Sequence, residues 1–283
     1  MPVNLLYCEG GKNSPDLRVL LNVLSGVCTV RYSGSKYGLD GKIIFIRQEN
    51  LSPSVVVAAL KDRDFDEDES QPVHSPRNWL LRDNDKNIQV GWTWERKEIE
   101  NYLIDPEVVR YALGSKAPPI DDYRAELEKS AKTIADYTAA RIALSLSRRR
   151  LLPLKNSWGN AGINKKHLFP ESLLESDCRE EIKNIVNLYE QSQLVREGDV
   201  LDVFDRLLSS CRVGGCRFKD YLTFFSGKDL LYAMKTALAD FSLGEPSAFR
   251  ERVVKGIENS TENVWTWLPE WNQLRQMAQQ FRP

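Results

Sequence analysis

The chain has 283 residues, 42% of them hydrophobic, with ten Phe and seven Trp. This length and composition suit one large or two modest domains with a packed core, which excludes disorder as the default state. The formal net charge of −1 excludes a chain-wide cationic field, so any nucleic acid must be held by local clusters. The five cysteines form no Cys-x-x-Cys pair, which argues against a disulfide framework or a zinc knuckle.

The sequence shows no membrane or secretion signal. It contains no window of about 18 uncharged apolar residues, the length that a membrane-spanning helix needs. The N-terminal stretch MPVNLLYCEGG becomes acidic too early for a signal peptide. We therefore expect a cytoplasmic protein without membrane contact.

The first part of the chain alternates between predicted strands and helices. The predicted strands are VNLLYC, KIIFI, VVVAAL and NIQVGWTW, and the predicted helices are PDLRVLLNVLSGV and EIENYLIDPEVVRYAL. This alternation predicts an α/β fold with a largely parallel sheet.

The rest of the chain is predicted to be helical. Residues 114–215 contain DDYRAELEKSAKTIADYTAARIALSLSRRR, REEIKNIVNLYEQ and DVLDVFDRLLSS, with a polar loop at 157–169. Residues 216–283 contain three more helical patterns, FKDYLTFF, KDLLYAMKTALADF and the Trp-rich ENVWTWLPEWNQLRQMAQQF. We therefore divide the chain into a core at 1–113, a helical insertion at 114–215, and a segment at 216–283 that completes the core and adds C-terminal helices.

Acidic residues follow two of the predicted strands. In VVVAALKDRDFDEDE (55–69), Asp62 and Asp64 are two residues apart and point to the same side of an extended chain. Glu9 ends the first strand and precedes Gly10–Gly11. Since parallel strands share one carboxyl edge, where open α/β sheets bind ligands, these carboxylates should meet there. Mg²⁺ or Mn²⁺ would compensate their charge, although acid runs after strands are also often solvated loops.

Two further motifs carry candidate residues. In WERKEIENYLID (94–105), Glu100 lies near the start of a helix that follows a strand, and Glu98 is the competing candidate; both also suit a helix N-terminus through its dipole. In FFSGKDLLYAMK, Lys228 lies at a helix start, where an ammonium could reach a phosphate. The motif lacks the frame of a nucleotide-binding P-loop, so we do not predict an ATP site.

Taken in order, YCEGG, LKDRDFD, ERKEIENYL and SGKDLL resemble the motifs of toprim nucleases related to the OLD (overcoming lysogenization defect) proteins. The chain is similar to the stand-alone toprim family that includes the effector subunit of the PARIS anti-phage defence system. The resemblance covers roughly residues 3–113 and 217–240. It implies a toprim fold, which is a Rossmann-like, mostly parallel sheet flanked by helices.

The resemblance also implies roles for individual residues. Glu9 matches a metal ligand and general base, and Asp62 and Asp64 match the Asp-x-Asp metal ligands. Glu100 would complete a second metal position as a catalytic residue. Lys228 matches a catalytic lysine that stabilises charge on the phosphate.

Other residues are weaker candidates. Asp16 and Asp66 are further candidate metal ligands, because the first motif has a second acid in the family and the Asp-x-Asp pattern continues to residue 66. A basic cluster could contact a nucleic-acid backbone, or it could simply end a solvated helix. Its residues are Arg148, Arg149, Arg150 and Lys155.

The resemblance implies a nuclease that uses Mg²⁺ or Mn²⁺, with two ions, to cut DNA or RNA such as tRNA. Its family partners are an ABC/SMC-like ATPase sensor and a second copy of the chain in a homodimer. Phosphatases of the haloacid dehalogenase type and glycosyltransferases also use Asp-x-Asp, but they give no role to Glu9. The other hypothesis is a non-catalytic interaction subunit of an ATPase complex, with Trp265, Trp267, Trp271 and Phe281 as interface anchors or, alternatively, as core residues.

Overall fold

A computed structural model describes residues 2–34, 38–49, 55–63, 70–83, 86–147, 172–190 and 196–282. Within these ranges the strands are β1 (Leu5–Cys8), β2 (Thr29–Tyr32), β3 (Val57–Lys61), β4 (Arg77–Asp83) and β5 (Lys86–Thr93). The helices are α1 (Pro15–Val23), α2 (Leu39–Glu49), α3 (Ile99–Leu103), α4 (Pro106–Leu113), α5 (Ile120–Thr133), α6 (Ala135–Ser147), α7 (Glu175–Glu190), α8 (Glu197–Cys211), α9 (Cys216–Lys219), α10 (Tyr221–Phe224), α11 (Gly227–Ala233), α12 (Lys235–Asp240), α13 (Pro246–Glu258) and α14 (Pro269–Gln280).

The strands form one mixed sheet with the order β2-β1-β3-β5-β4. β1 pairs in parallel with β2 and β3, and β3 pairs in parallel with β5, whereas β4 is an antiparallel edge strand. The apolar run of β3 is buried from Val57 to Leu60, as expected for a strand that is covered on both faces. The predicted α/β class with a largely parallel sheet is confirmed.

Both faces of the sheet carry packed side chains. Tyr7 and Ala59 are register partners, and they belong to one buried cluster with Leu39 and Ile43 of α2. Gly91 of β5 pairs with Ala59. The next residue along β5, Trp92, therefore points to the opposite face of the sheet, because side chains alternate along a strand. There its ring packs edge-on against Phe281, with 5.0 Å between the ring centroids.

Several details differ from the sequence prediction. The predicted strand KIIFI is wrong, because these residues lie in α2, where Leu39, Ile43 and Ile46 recur at helical spacing and pack on the sheet. The strands β2 and β4 and the helix α13 were not predicted. The predicted helix EIENYLIDPEVVRYAL is two helices, because Asp105 caps α4 by accepting a hydrogen bond from the Glu107 N–H at 2.9 Å.

The chain divides into two compact units. The sheet unit contains the described residues of 1–63, 71–120 and 247–283, and the helical unit contains Ser70 and the described residues of 121–246. Within the helical unit, α6, α7 and α8 contact one another around the buried side chains of Tyr137, Ile182 and Phe204. In the described ranges, none of the helices has both the length and the apolar character that crossing a membrane requires.

Candidate metal centre

Glu9 and Asp62 follow the ends of two neighbouring parallel strands. Cys8, the last residue of β1, pairs in register with Leu60 of β3, so Glu9 is level with Lys61 and Asp62 lies one residue further. Both acids therefore leave the sheet at its carboxyl edge. One oxygen of each carboxylate, Oε1 of Glu9 and Oδ1 of Asp62, is buried.

A tight turn brings Asp16 back to the same edge. Gly10 has a φ of 89°, in the left-handed region that favours glycine. Ser14 then caps α1, with its Oγ accepting a hydrogen bond from the Leu17 N–H at 3.3 Å. Asp16 lies in the first turn of α1, and its Oδ2 is 3.5 Å from the point that a Cβ atom on Gly10 would occupy.

Three acids lie within electrostatic range of Cys8. The pKa of this buried thiol is raised to about 12, mainly by burial and then by the negative charges of Asp16, Glu9 and Asp62. The structure therefore places two predicted ligands, Glu9 and Asp62, and the further candidate Asp16 at the same edge of the sheet. Repulsion among such carboxylates favours the binding of a cation.

The donor chemistry of this edge fits a hard divalent cation. Carboxylate oxygens are the ligands that Mg²⁺ and Mn²⁺ prefer, and two of the oxygens are already buried. In the part of the chain that the structure describes, no three His, Cys, Asp or Glu side chains are arranged closely enough to hold a metal ion as they stand. Binding would thus draw Glu9, Asp16 and Asp62 together.

The acids of α3 have other partners. Glu98 is the N-cap of α3, and its backbone N–H donates to Oδ1 of Asn101 at 3.1 Å. Glu100 is buried and accepts a hydrogen bond at Oε1 from Nη1 of Arg250, at 3.0 Å. Sequence reasoning missed Arg250, because it lies on α13, 150 positions away from Glu100.

A buried ion cluster, also missed, fixes the chain beyond Asp62. Nη1 of Arg63 lies 2.9 Å from Oε2 of Glu95, and the Arg63 N–H donates to the Lys97 carbonyl at 3.1 Å. Arg77 donates to the same Glu95 oxygen at 2.7 Å. Asp62 is thereby tied to the segment between β5 and α3.

Lys228 belongs to the helical unit. It lies in the first turn of α11, and its side chain is exposed. Ser226 caps this helix by accepting a hydrogen bond from the Asp229 N–H at 3.3 Å, and Asp229 forms an ion pair with Arg141 of α6. The other predicted site residues lie outside the described ranges, namely Asp64, Asp66, Arg148, Arg149, Arg150 and Lys155.

The C-terminal aromatic residues pack inside the sheet unit. Trp267, Trp271 and Phe281 are buried, and the Trp267 ring stacks on Tyr111 with 5.3 Å between centroids. Trp265 is half-buried. The burial of the other three aromatic residues favours a core role over an interface role.

Comparison with known proteins gives no further guide to function. No protein-family model matches this sequence, and a search of curated proteins finds no match.

Proposed function

We propose that this chain is a divalent-metal-dependent nuclease of the toprim type that hydrolyses phosphodiester bonds in DNA or RNA. The observation that carries the proposal is the position of Glu9 and Asp62 after the ends of adjacent parallel strands, with Asp16 beside the turn that follows β1. Ligands of open α/β sheets bind at this edge. A cluster of hard oxygen donors there suits a cation that contacts phosphate.

Each site residue has a separate role in the proposed hydrolysis. Glu9 and Asp62 would hold the cation together with Asp16 and, by the resemblance, Asp64. When bound, Mg²⁺ or Mn²⁺ supplies Lewis acidity toward the phosphate and neutralises charge on the leaving oxygen. Glu9 also accepts the proton of the attacking water as general base. Lys228 takes its role, stabilising charge on the phosphate, from the SGK motif alone.

The resemblance also supplies the biological part of the proposal. The chain would act in the cytoplasm as the effector of a bacterial anti-phage defence system, with tRNA or DNA as its target. An ABC/SMC-like ATPase would restrain or release it, and release would permit a homodimer to form.

The test compares wild type, Glu9→Gln and the control Glu262→Gln, which removes an exposed acid of the same unit. Each is incubated with plasmid DNA and with total tRNA in EDTA, Mg²⁺ or Mn²⁺, with and without the partner ATPase. We expect cleavage that requires metal, is lost in Glu9→Gln and persists in Glu262→Gln. Cleavage by the Glu9→Gln variant would overturn the proposed nuclease activity. So would a wild-type protein that cleaves neither substrate in any condition. The latter result would favour the interaction subunit.

A further inference from the structure

Arg250 presents a guanidinium group that is held on one side and accessible on the other. Its Nη1 lies 3.0 Å from Oε1 of Glu100, whose side chain is 4% exposed, whereas the Arg250 side chain is 36% exposed. A buried carboxylate thus fixes the direction of the arginine, while a substantial part of the arginine remains in contact with solvent.

The helix that carries Arg250 is joined to the acidic edge of the sheet. The neighbouring residue on α13, Glu251, accepts a hydrogen bond at Oε2 from Nη1 of Arg18, at 2.7 Å. Arg18 lies on α1, two residues after Asp16. The same helix therefore braces α1, which supplies Asp16, and α3, which follows β5 at the carboxyl edge.

We infer that Arg250 binds a phosphate group of the nucleic-acid substrate and that Glu100 orients it, an inference that rests on the proposed function. A guanidinium matches two phosphate oxygens with parallel N–H donors and stays charged at any physiological pH. The carboxylates at the edge repel a phosphodiester, so a fixed cation on the helix that contacts both α1 and α3 lowers the cost of substrate approach.

This arrangement changes the role of Glu100. The resemblance makes it a metal ligand, but its ion pair with Arg250 makes it a positioning residue for the phosphate-binding arginine. Glu100→Gln should then weaken substrate binding and leave the Mn²⁺ concentration for half-maximal cleavage unchanged. A rise of several fold in that concentration would assign Glu100 to the metal and overturn its positioning role.

The binding of nucleic acid can be measured without cleavage when metal is removed. In EDTA, fluorescence anisotropy gives the Kd of labelled tRNA and of a labelled DNA oligonucleotide as a function of salt. We expect Arg250→Gln to raise Kd about 10-fold and to reduce the slope of log K against log salt by about 0.7–0.9, the value for one phosphate contact. Arg250→Lys should give a smaller rise in Kd, because it keeps the charge and loses the paired donors.

The matched control is Arg252→Gln, which removes the same charge from an exposed position two residues along α13. Equal Kd values and salt slopes for Arg250→Gln and Arg252→Gln would overturn the inference, and the ion pair would then only join α3 to α13. If that result accompanies metal-dependent cleavage by wild type, the proposed function stands. A wild type that neither binds nor cuts either nucleic acid would overturn both. Should Arg250→Gln fail to fold, Arg250→Lys carries the comparison.

Discussion

Nη1 of Arg63 lies 2.9 Å from Oε2 of Glu95, and both side chains are buried. Arg77 shares this carboxylate, so neutralising Glu95 takes away a negative charge that two arginines contact. Breaking such a buried pair costs about 3–5 kcal/mol, so we expect Glu95→Gln to lower the free energy of unfolding by about 3 kcal/mol. Urea unfolding measures this loss.

The control for Glu95 is Glu126→Gln. Glu126 pairs with Lys129 at 3.0 Å, but the Lys129 side chain is 72% exposed. Exposed pairs of this kind contribute about 0.3–0.5 kcal/mol. Equal losses for the two variants would mean that the Glu95 cluster does not stabilise the fold.

Gly10 and Gly11 form a second matched pair. A Cβ atom at Gly10 would lie 2.5 Å from Oγ of Ser14, in a residue whose φ is already 89°, whereas a Cβ at Gly11 meets nothing within 4 Å. Gly10→Ala should therefore cost about 1–3 kcal/mol and displace Asp16. Gly11→Ala should change stability by less than about 0.5 kcal/mol.

Thermal unfolding and metal-dependent cleavage of the two alanine variants test this pair. We expect Gly10→Ala to lose cleavage even at temperatures where it is folded, because Asp16 moves. If Gly10→Ala matches Gly11→Ala in both assays, the turn does not position the acidic edge.

The sequence predicted the ends of strands best where a strand is apolar and stops abruptly at a charged residue. β1 and β3 are buried runs that stop at acids, so Glu9 and Asp62 could be placed at one edge from pattern alone. The short run KIIFI misled, because four apolar residues fit a strand as well as one side of a helix. The edge strand β2 gave no clear signal, since Val30 is its one buried residue.

Long-range ion pairs were beyond sequence reasoning. Arg250 and Glu100 are 150 positions apart, and Arg63 and Glu95 are 32 apart. Each of these residues alone is typical of a solvated surface. Only the packing of α13 and of the β5–α3 segment shows that they are partners.

The decrease of stability at alkaline pH should depend in part on the buried thiol of Cys178. Burial raises its pKa from 9.0 to about 12. Between these values the folded state keeps a proton that the unfolded state has lost, so the free energy of unfolding falls as pH rises, by up to about 1.4 kcal/mol per pH unit. Stability measured from pH 8 to 10.5 should fall less steeply in Cys178→Ala than in wild type.

Cys216→Ala is the control for this pH slope, because Cys216 is exposed. The Cys216→Ala variant should keep the wild-type slope. The buried thiol of Cys8 also contributes to that slope, because burial raises the pKa of Cys8 to about 12. Equal slopes for Cys178→Ala and wild type would contradict a protonated Cys178 thiol in the folded state at high pH.

Stability at acid pH should depend on the ion pairs of Arg18 with Glu251 and Glu258. Hydrogen bonds from Arg18 lower the pKa of both carboxyl groups below the ordinary 4.5. Their contribution to stability is therefore complete above the unfolded pKa and is lost as pH falls through the folded pKa. Both acids are partly exposed, so we expect Arg18→Gln to cost only about 1 kcal/mol at pH 7.

That difference between wild type and Arg18→Gln should shrink toward zero as pH falls below the ordinary carboxyl pKa and then through the lowered pKa of both glutamates. It should also shrink in 1 M NaCl, because salt screens partly exposed pairs. Lys255→Gln is the control, since Lys255 lies 3.9 Å from the same Glu251 and is 64% exposed. Guanidinium unfolding would add salt, so urea is the denaturant to use. A difference between wild type and Arg18→Gln that stays constant from pH 7 to pH 3 would show that Arg18 joins α1 to α13 by packing rather than by charge.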